Sequence, residues 1–354
     1  MKKEEKILSK FENVDSLKDL IGDDEPSKLF YLLASKLNYL LSNDIEKIFD
    51  NNSMKRREYV NKLIKLVGPL FLQNKQVFED RNELLGKNVY NSKNIVLGEE
   101  AVIWASNHHF KDDALGTVLA ARRNAYILFG SLPQFYNTFD GITAWLNGVI
   151  LLNRKNKDSK KSVIEKCDYV INSKKDLIVY PEGVWCKSPN ALMLDLWPGI
   201  YRICKDTGCK VVPVSHYIRN CELKDKNNYI HTVVDDPIRL DDLSEKAALE
   251  YLKEVICTWY YLMMEKYGKS TREEELKGYK DSTEAWEDKL IKRLSTAERY
   301  DSEIEKSADY LTKEKFDYFE AWNDIANIKN ITSNNIHQVN NAKVIVKNNF
   351  QRRF

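Results

Sequence analysis

From Val96 to Leu240 the chain alternates short apolar runs of strand length with amphipathic runs of helical length, and this alternation most restricts the fold. Strand-like runs lie at 100–106, 124–130, 148–153, 176–181, 210–217 and 229–236, and helix-like runs lie between them at 113–123, 158–174 and 195–207. A strand covered on both faces reads as a continuous apolar stretch, and strands separated by helices pair in parallel. The expected fold class is therefore α/β: a mostly parallel layered sheet flanked by helices, with ligands near the carboxyl ends of the strands. The run 158–174 illustrates the helical pattern, with Val163, Cys167, Val170 and Ile171 on one face and lysines on the other.

Helical extensions are expected on both sides, so the chain divides into an N-terminal region 1–95, the α/β domain 96–240, a C-terminal extension 241–330 packed on it and a polar tail 331–354. In the first region Leu29, Phe30, Leu32, Leu33, Leu37, Leu40 and Leu41 recur at helical spacing, as do Leu63, Ile64, Val67, Leu70 and Phe71. Two readings stay open here: a helical cap on the α/β domain, or an interfacial helix pair that docks on lipid, for which Lys62, Lys65, Arg56 and Arg57 supply charge. In the C-terminal extension Asp242 and Glu245 have capping-box spacing, ahead of a stripe formed by Leu249, Leu252, Ile256, Trp259 and Met263. Trp259, Tyr260 and Tyr261 read as packed core.

Composition bounds the partners. Hydrophobic residues make up 43% of the 354, enough for a sizeable core. The formal charge of +2, from 55 basic against 53 acidic residues, gives no electrostatic reason to expect nucleic acid. The six cysteines form no CxxC pair, and the start is charged rather than secretory, which points to reduced thiols in a cytoplasmic protein. The longest nearly apolar run, 255–264, is too short to span a bilayer, whereas peripheral contact stays open.

The chemistry concentrates at 107–113. Asn107-His108-His109 closes an apolar run, and Asp112-Asp113 opens a helical one. A histidine at a strand end with a carboxylate in the next helical turn is a compact general-base unit, suited to activating a hydroxyl or an amine. A metal shared by His108 and His109 is disfavoured, because consecutive strand residues point to opposite faces. Three further blocks follow: the strand 148–152 that delivers Arg154, the strand ending in Tyr180-Pro181-Glu182-Gly183, and the buried run Val211-Val212-Pro213-Val214. Pro181 fixes φ and Gly183 permits positive φ, so this turn lets backbone approach a ligand closely.

These four blocks, in this order, resemble the glycerolipid acyltransferase family, which carries an NHxxxxD motif, a GxxFxxR-like motif, an FPEGTRS motif and a VPV-type motif. The resemblance covers about residues 97–220. It implies His108 and Asp113 as the catalytic pair, leaving His109 and Asp112 as neighbours. It implies Asn107, Arg154, Glu182 and Gly183 as substrate contacts, to which Lys187 is added as a candidate of this chain's own; Arg154 suits an anion, while Glu182 either binds an acceptor hydroxyl or holds its loop together. The implied reaction moves a fatty acyl group from acyl-CoA or an acyl carrier protein to the hydroxyl of a lysophospholipid or glycerophosphate. It needs no bound cofactor, no metal and no covalent acyl-enzyme, so no cysteine need be a nucleophile.

The chain departs from the family after Pro-Glu-Gly, where Thr-Arg-Ser is replaced by Val184-Trp185-Cys186. The missing arginine normally helps hold the glycerophosphate. Lys187 offers a point charge instead, and Trp185 with Trp197 offers an apolar or stacking surface. A non-phosphate acceptor such as a sugar or an amino compound is therefore an alternative, as is a non-catalytic protein that binds lipid or acyl carrier.

Overall fold

The structure, a computed structural model, describes residues 38–49, 51–86, 98–110, 112–121, 123–130, 135, 139–154, 156–186, 191–219, 228–280 and 284. The stripe from Leu29 to Leu37, Lys187, Cys221 and the tail 331–354 lie outside the described residues.

Among the described residues seven strands form one sheet in the order β1-β7-β6-β2-β5-β3-β4. They are β1 (Gln76–Phe78), β2 (Val102–Ser106), β3 (Ala125–Phe129), β4 (Val149–Leu151), β5 (Asp176–Val179), β6 (Lys210–Tyr217) and β7 (Ile230–Val234). All neighbours pair in parallel except β6 with β7, which is antiparallel. The mostly parallel α/β architecture and six of the strands stand where the alternation put them.

The central strand β2 shows why. Each of its residues is buried, with β5 on one side and β6 on the other. Ile103 and Ala105 face the larger core, built with α6 (Lys157–Asn172), α7 (Gly199–Thr207) and α8 (Glu245–Tyr267). Val102 and Trp104 face the second core, built with α4 (Asp113–Ala120). A strand that must be apolar on both faces has no polar alternation to read.

Two expectations are corrected. Gln76–Phe78, placed in the helical N-terminal region, is the edge strand and pairs with β7. Its three residues are too few for a periodic signal. The helix α8 is capped by Ser244, whose side chain accepts from the Ala247 N–H, and not by Asp242. The capping geometry needs its oxygen three residues before the bonded N–H, which Ser244 satisfies once the helix starts at Glu245. Helix α6 buries Val163, Cys167, Val170 and Ile171 as its spacing predicts. Lys166 is the exception on that helix: it is buried, its Nζ donates to the Leu40 carbonyl, and burial pushes it down to about 8.

The N-terminal helix α2 (Asn51–Val67) packs on α5 (Phe139–Asn147) through Asn61, whose amide donates to Asn147 Oδ1 at 2.7 Å, and through Arg56, which lies 4.5 Å over the Trp145 ring. Its opposite face is apolar and open. No helix among the described residues is long and apolar enough to cross a membrane. The five cysteines among the described residues are buried, and none is in a disulfide.

Candidate active site

His108 follows the carboxyl end of β2, and Asp113 is the first residue of α4. One tight turn therefore places both on the same side of the sheet. His108 Nδ1 lies 2.9 Å from Asp113 Oδ1 and 3.0 Å from Oδ2. A carboxylate only accepts, so Nδ1 carries the hydrogen and Nε2 keeps its lone pair. The carboxylate is held from the other side as well: Oδ2 accepts the N–H of His109 at 2.8 Å and of Phe110 at 3.1 Å. Asp113 is fully buried, whereas the His108 side chain keeps 18% of its surface accessible. Nε2 is thus the atom of the pair left for an incoming proton.

The neighbours of this pair have other work. His109 points away, stacks on Tyr260 with ring centroids 4.6 Å apart, and donates from Nε2 to the Ala191 carbonyl at 2.8 Å. Burial pushes it down to about 4, so it is neutral around pH 7. Asp112 accepts the N–H of Gln73 at 3.0 Å, which ties the segment before β1 to the start of α4.

The side chains of Asn107 and Glu182, named above among the substrate contacts, are bonded into the scaffold. Asn107 is fully buried, and its amide spans two strands: Oδ1 accepts the His216 N–H, and Nδ2 donates to the His216 carbonyl, each at 2.8 Å. Its remaining N–H faces His109 Nδ1 at 2.9 Å. Glu182 is also fully buried, with Oε1 accepting the His108 N–H at 2.8 Å and Oε2 accepting the Leu194 N–H at 2.7 Å. Burial pushes its carboxyl up to about 8, against the pull of those two N–H donors. Of the two roles open to Glu182, holding the loop is the one its contacts support, because the side chain is fully buried and each oxygen bonds a backbone N–H.

Gly183 has φ of +72°, as the turn requires. What approaches it is protein: a Cβ there would come within 2.9 Å of Trp197 Cδ1, so the indole lies directly on the glycine. Arg154 stands exposed beyond β4, and its side chain leans back over Gly130 at the end of β3, where a Cβ would come within 2.5 Å of Nε. The guanidinium thus sits one strand nearer to His108 than its own strand does.

The sequence reading missed the support beneath the pair. The Tyr180 hydroxyl lies 3.1 Å from the Asp113 carbonyl and 2.9 Å from Thr117 Oγ1, which share its one hydrogen, and its ring lies 4.3 Å from His108. Burial next to Asp113 pushes this phenol well above its ordinary range, so it stays a donor. Thr117 Oγ1 also meets His216 Nε2 at 2.9 Å, and His216 Nδ1 meets Thr232 Oγ1 at 2.8 Å. His216 is buried and pushed down to about 4. The position of Tyr180 just before Pro181 was a usable signal for its role. A lone histidine inside an apolar strand gave none.

A family model described as Acyltransferase matches residues 86–217. A solved structure of the 1-acyl-sn-glycerophosphate (LPA) acyltransferase PlsC from Thermotoga maritima aligns over 66% of this chain and 94% of its own, with 20% identity and a TM-score of 0.42. No curated protein matches the chain. The matched stretch contains β2 through β6 and with them the His108–Asp113 pair, Arg154 and the turn after β5. Residues 86–217 of this chain are thus similar to the Acyltransferase family.

Proposed function

We propose that the protein transfers a fatty acyl group from acyl-CoA or an acyl carrier protein to the hydroxyl of a lysophospholipid or glycerophosphate, with His108 as general base. The observation that carries this reading is the bond from His108 Nδ1 to the buried Asp113 carboxylate, which leaves Nε2 as the acceptor of a proton. Nε2 removes the proton from the acceptor hydroxyl as its oxygen attacks the thioester carbonyl. Asp113 stabilises the imidazolium that forms. The tetrahedral oxyanion then collapses and the C–S bond breaks. The departing thiolate takes the proton back from the imidazolium, which releases the ester and a free thiol.

Arg154 supports a phosphate-bearing acceptor. Its guanidinium rests over Gly130 at the end of β3, two strand spacings from β2, or roughly 10 Å at ~4.8 Å each. A short polyol phosphate with a hydrogen bond at each end spans a gap of that size. A second reading, acylation of a sugar or an amino compound, is favoured by the indole of Trp185 where the family carries arginine. One assay separates them: labelled acyl-CoA with a panel of glycerol 3-phosphate, lysophospholipids, sugars and amines, comparing wild type with Arg154→Ala. The expected result is a KM for phosphate-bearing acceptors raised on the order of tenfold to a hundredfold, with kcat little changed, as loss of a charged hydrogen bond predicts. An unchanged KM, with sugars or amines acylated faster than any phosphate-bearing acceptor, would hand the case to the second reading.

The open face of α2 supports peripheral attachment to an anionic lipid surface. Tyr59, Leu63 and Leu66 on α2, and Leu70 and Phe71 just after it, are exposed, Leu66 at 77% and Leu70 at 83%, with exposed Lys55 and Lys62 beside them. Apolar side chains flanked by lysines suit the boundary between headgroups and acyl chains. The double substitution Leu66→Ser with Phe71→Ser is expected to weaken co-sedimentation with anionic vesicles by on the order of tenfold, given the apolar area withdrawn. Transfer to a soluble acceptor should stay as it was. Equal co-sedimentation of both proteins would remove this surface as the contact.

A further inference from the structure

We infer that Trp185 is a positioning residue for the general base: its indole lies against the His108 imidazole and stabilises the imidazolium that forms when the acceptor's proton is taken. The inference rests on the proposed role of His108 as base. The Trp185 and His108 ring centroids are 5.1 Å apart with the planes tilted by 37°. That separation is within the range over which a cation is attracted to an indole face.

The placement is enforced by backbone. The His108 N–H donates to Glu182 Oε1 at 2.8 Å, and the His108 carbonyl accepts the Cys186 N–H at 2.7 Å. The turn after β5 is thereby locked to His108 on both sides, and the residue just before Cys186 is held beside the ring. The chain places tryptophan at that point, where the family motif carries a cation. A guanidinium so close to His108 would oppose the imidazolium by like charge, whereas an indole adds its electron-rich face.

Among the described residues, Tyr180 is the other group that offers His108 an aromatic face. Asp113 bonds the ring edge through Nδ1, and Tyr180 lies 4.3 Å from the ring but spends its hydroxyl on Asp113 and Thr117. Glu182 engages the His108 backbone rather than its ring, and His109 turns away onto Tyr260. Tyr180 and Trp185 are thus the aromatic faces close to the base, and Trp185 belongs to the block in which this chain departs from the motif.

The test uses the full chain with Trp185→Phe, which keeps an aromatic face, and Trp185→Leu, which keeps apolar bulk without one. In Trp185→Leu the plateau kcat is expected to fall roughly tenfold with KM within about twofold, the size of effect a desolvated cation–π contact carries. The acid limb of the kcat/KM profile is expected to move to lower pH by roughly half a unit to one unit, because the imidazolium has lost a stabilising partner. Trp185→Phe should lie within about threefold of wild type with its acid limb in place. A folded Trp185→Leu with wild-type kcat and acid limb, beside an inactive His108→Ala, overturns the inference and leaves the His108 reading standing. Loss confined to KM, or equal loss in Phe and Leu, also overturns it, by assigning Trp185 to substrate contact or packing. Transfer that persists in His108→Ala brings down both readings.

Discussion

Replacing His108 by alanine is expected to lower kcat by on the order of a thousandfold, within the range attributed to a positioned general base. The fold should survive, because both backbone bonds of residue 108, to Glu182 and from Cys186, are independent of its side chain. The Asp113 carboxylate also keeps its two backbone donors, from His109 and Phe110. Initial rates at saturating labelled acyl-CoA measure the first effect and the thermal midpoint measures the second. The neighbouring histidine makes the contrast sharp. His109→Ala leaves the Ala191 carbonyl and one N–H of Asn107 without partners in a buried setting, at a cost of about 1–3 kcal/mol of stability. A chemical role predicts rate loss without unfolding at 108 and unfolding without specific rate loss at 109. The reverse pattern would mean that the base has been misassigned.

Asp113→Asn is expected to cost even more, about a thousandfold to ten-thousandfold in kcat, because it changes which nitrogen of His108 holds the hydrogen. Three donors converge on the carboxylate: His108 Nδ1–H, His109 N–H and Phe110 N–H. An amide has a single acceptor oxygen. The two backbone donors share Oδ2, so the amide oxygen settles there and the NH2 group takes the place of Oδ1. That NH2 then faces His108 Nδ1 and demands an acceptor from it. The ring must move its hydrogen to Nε2, the atom that is needed empty. Nitrogen NMR of the ring should show His108 change from the Nδ1–H to the Nε2–H tautomer in the variant. A variant that turns over within tenfold of wild type, with the tautomer unchanged, would show that orientation by Asp113 is not what catalysis uses.

The His108–Asp113 pair was legible because it is local. The two residues are five apart, across one strand-to-helix turn, and the polarity pattern marks both elements. The buried parallel strands were legible for a related reason: strands covered on both faces must be apolar throughout, and such runs stand out between amphipathic helices. The edge strand β1 did not stand out, since three residues carry no period and their partner in β7 is more than 150 residues away. The cap of α8 was misplaced by two residues because propensity and spacing admit both Asp242 and Ser244, and only the first helical residue separates them.

The layered α/β order, the His108–Asp113 contact and the turn that follows β5 could thus be read from the chain, because all of them depend on contacts within a few residues. The tertiary structure alone decided how the polar side chains around that pair are used. Asn107 bonds a backbone 109 residues away, and Glu182 bonds one 74 residues away, so both side chains tie distant segments together. Whether Trp185 would meet His108 or the solvent was decided the same way, by one backbone–carboxylate and one backbone–backbone hydrogen bond between distant segments. A buried polar group must find a partner, but which one it finds depends on the segment that folding brings beside it, and no local pattern records that arrival.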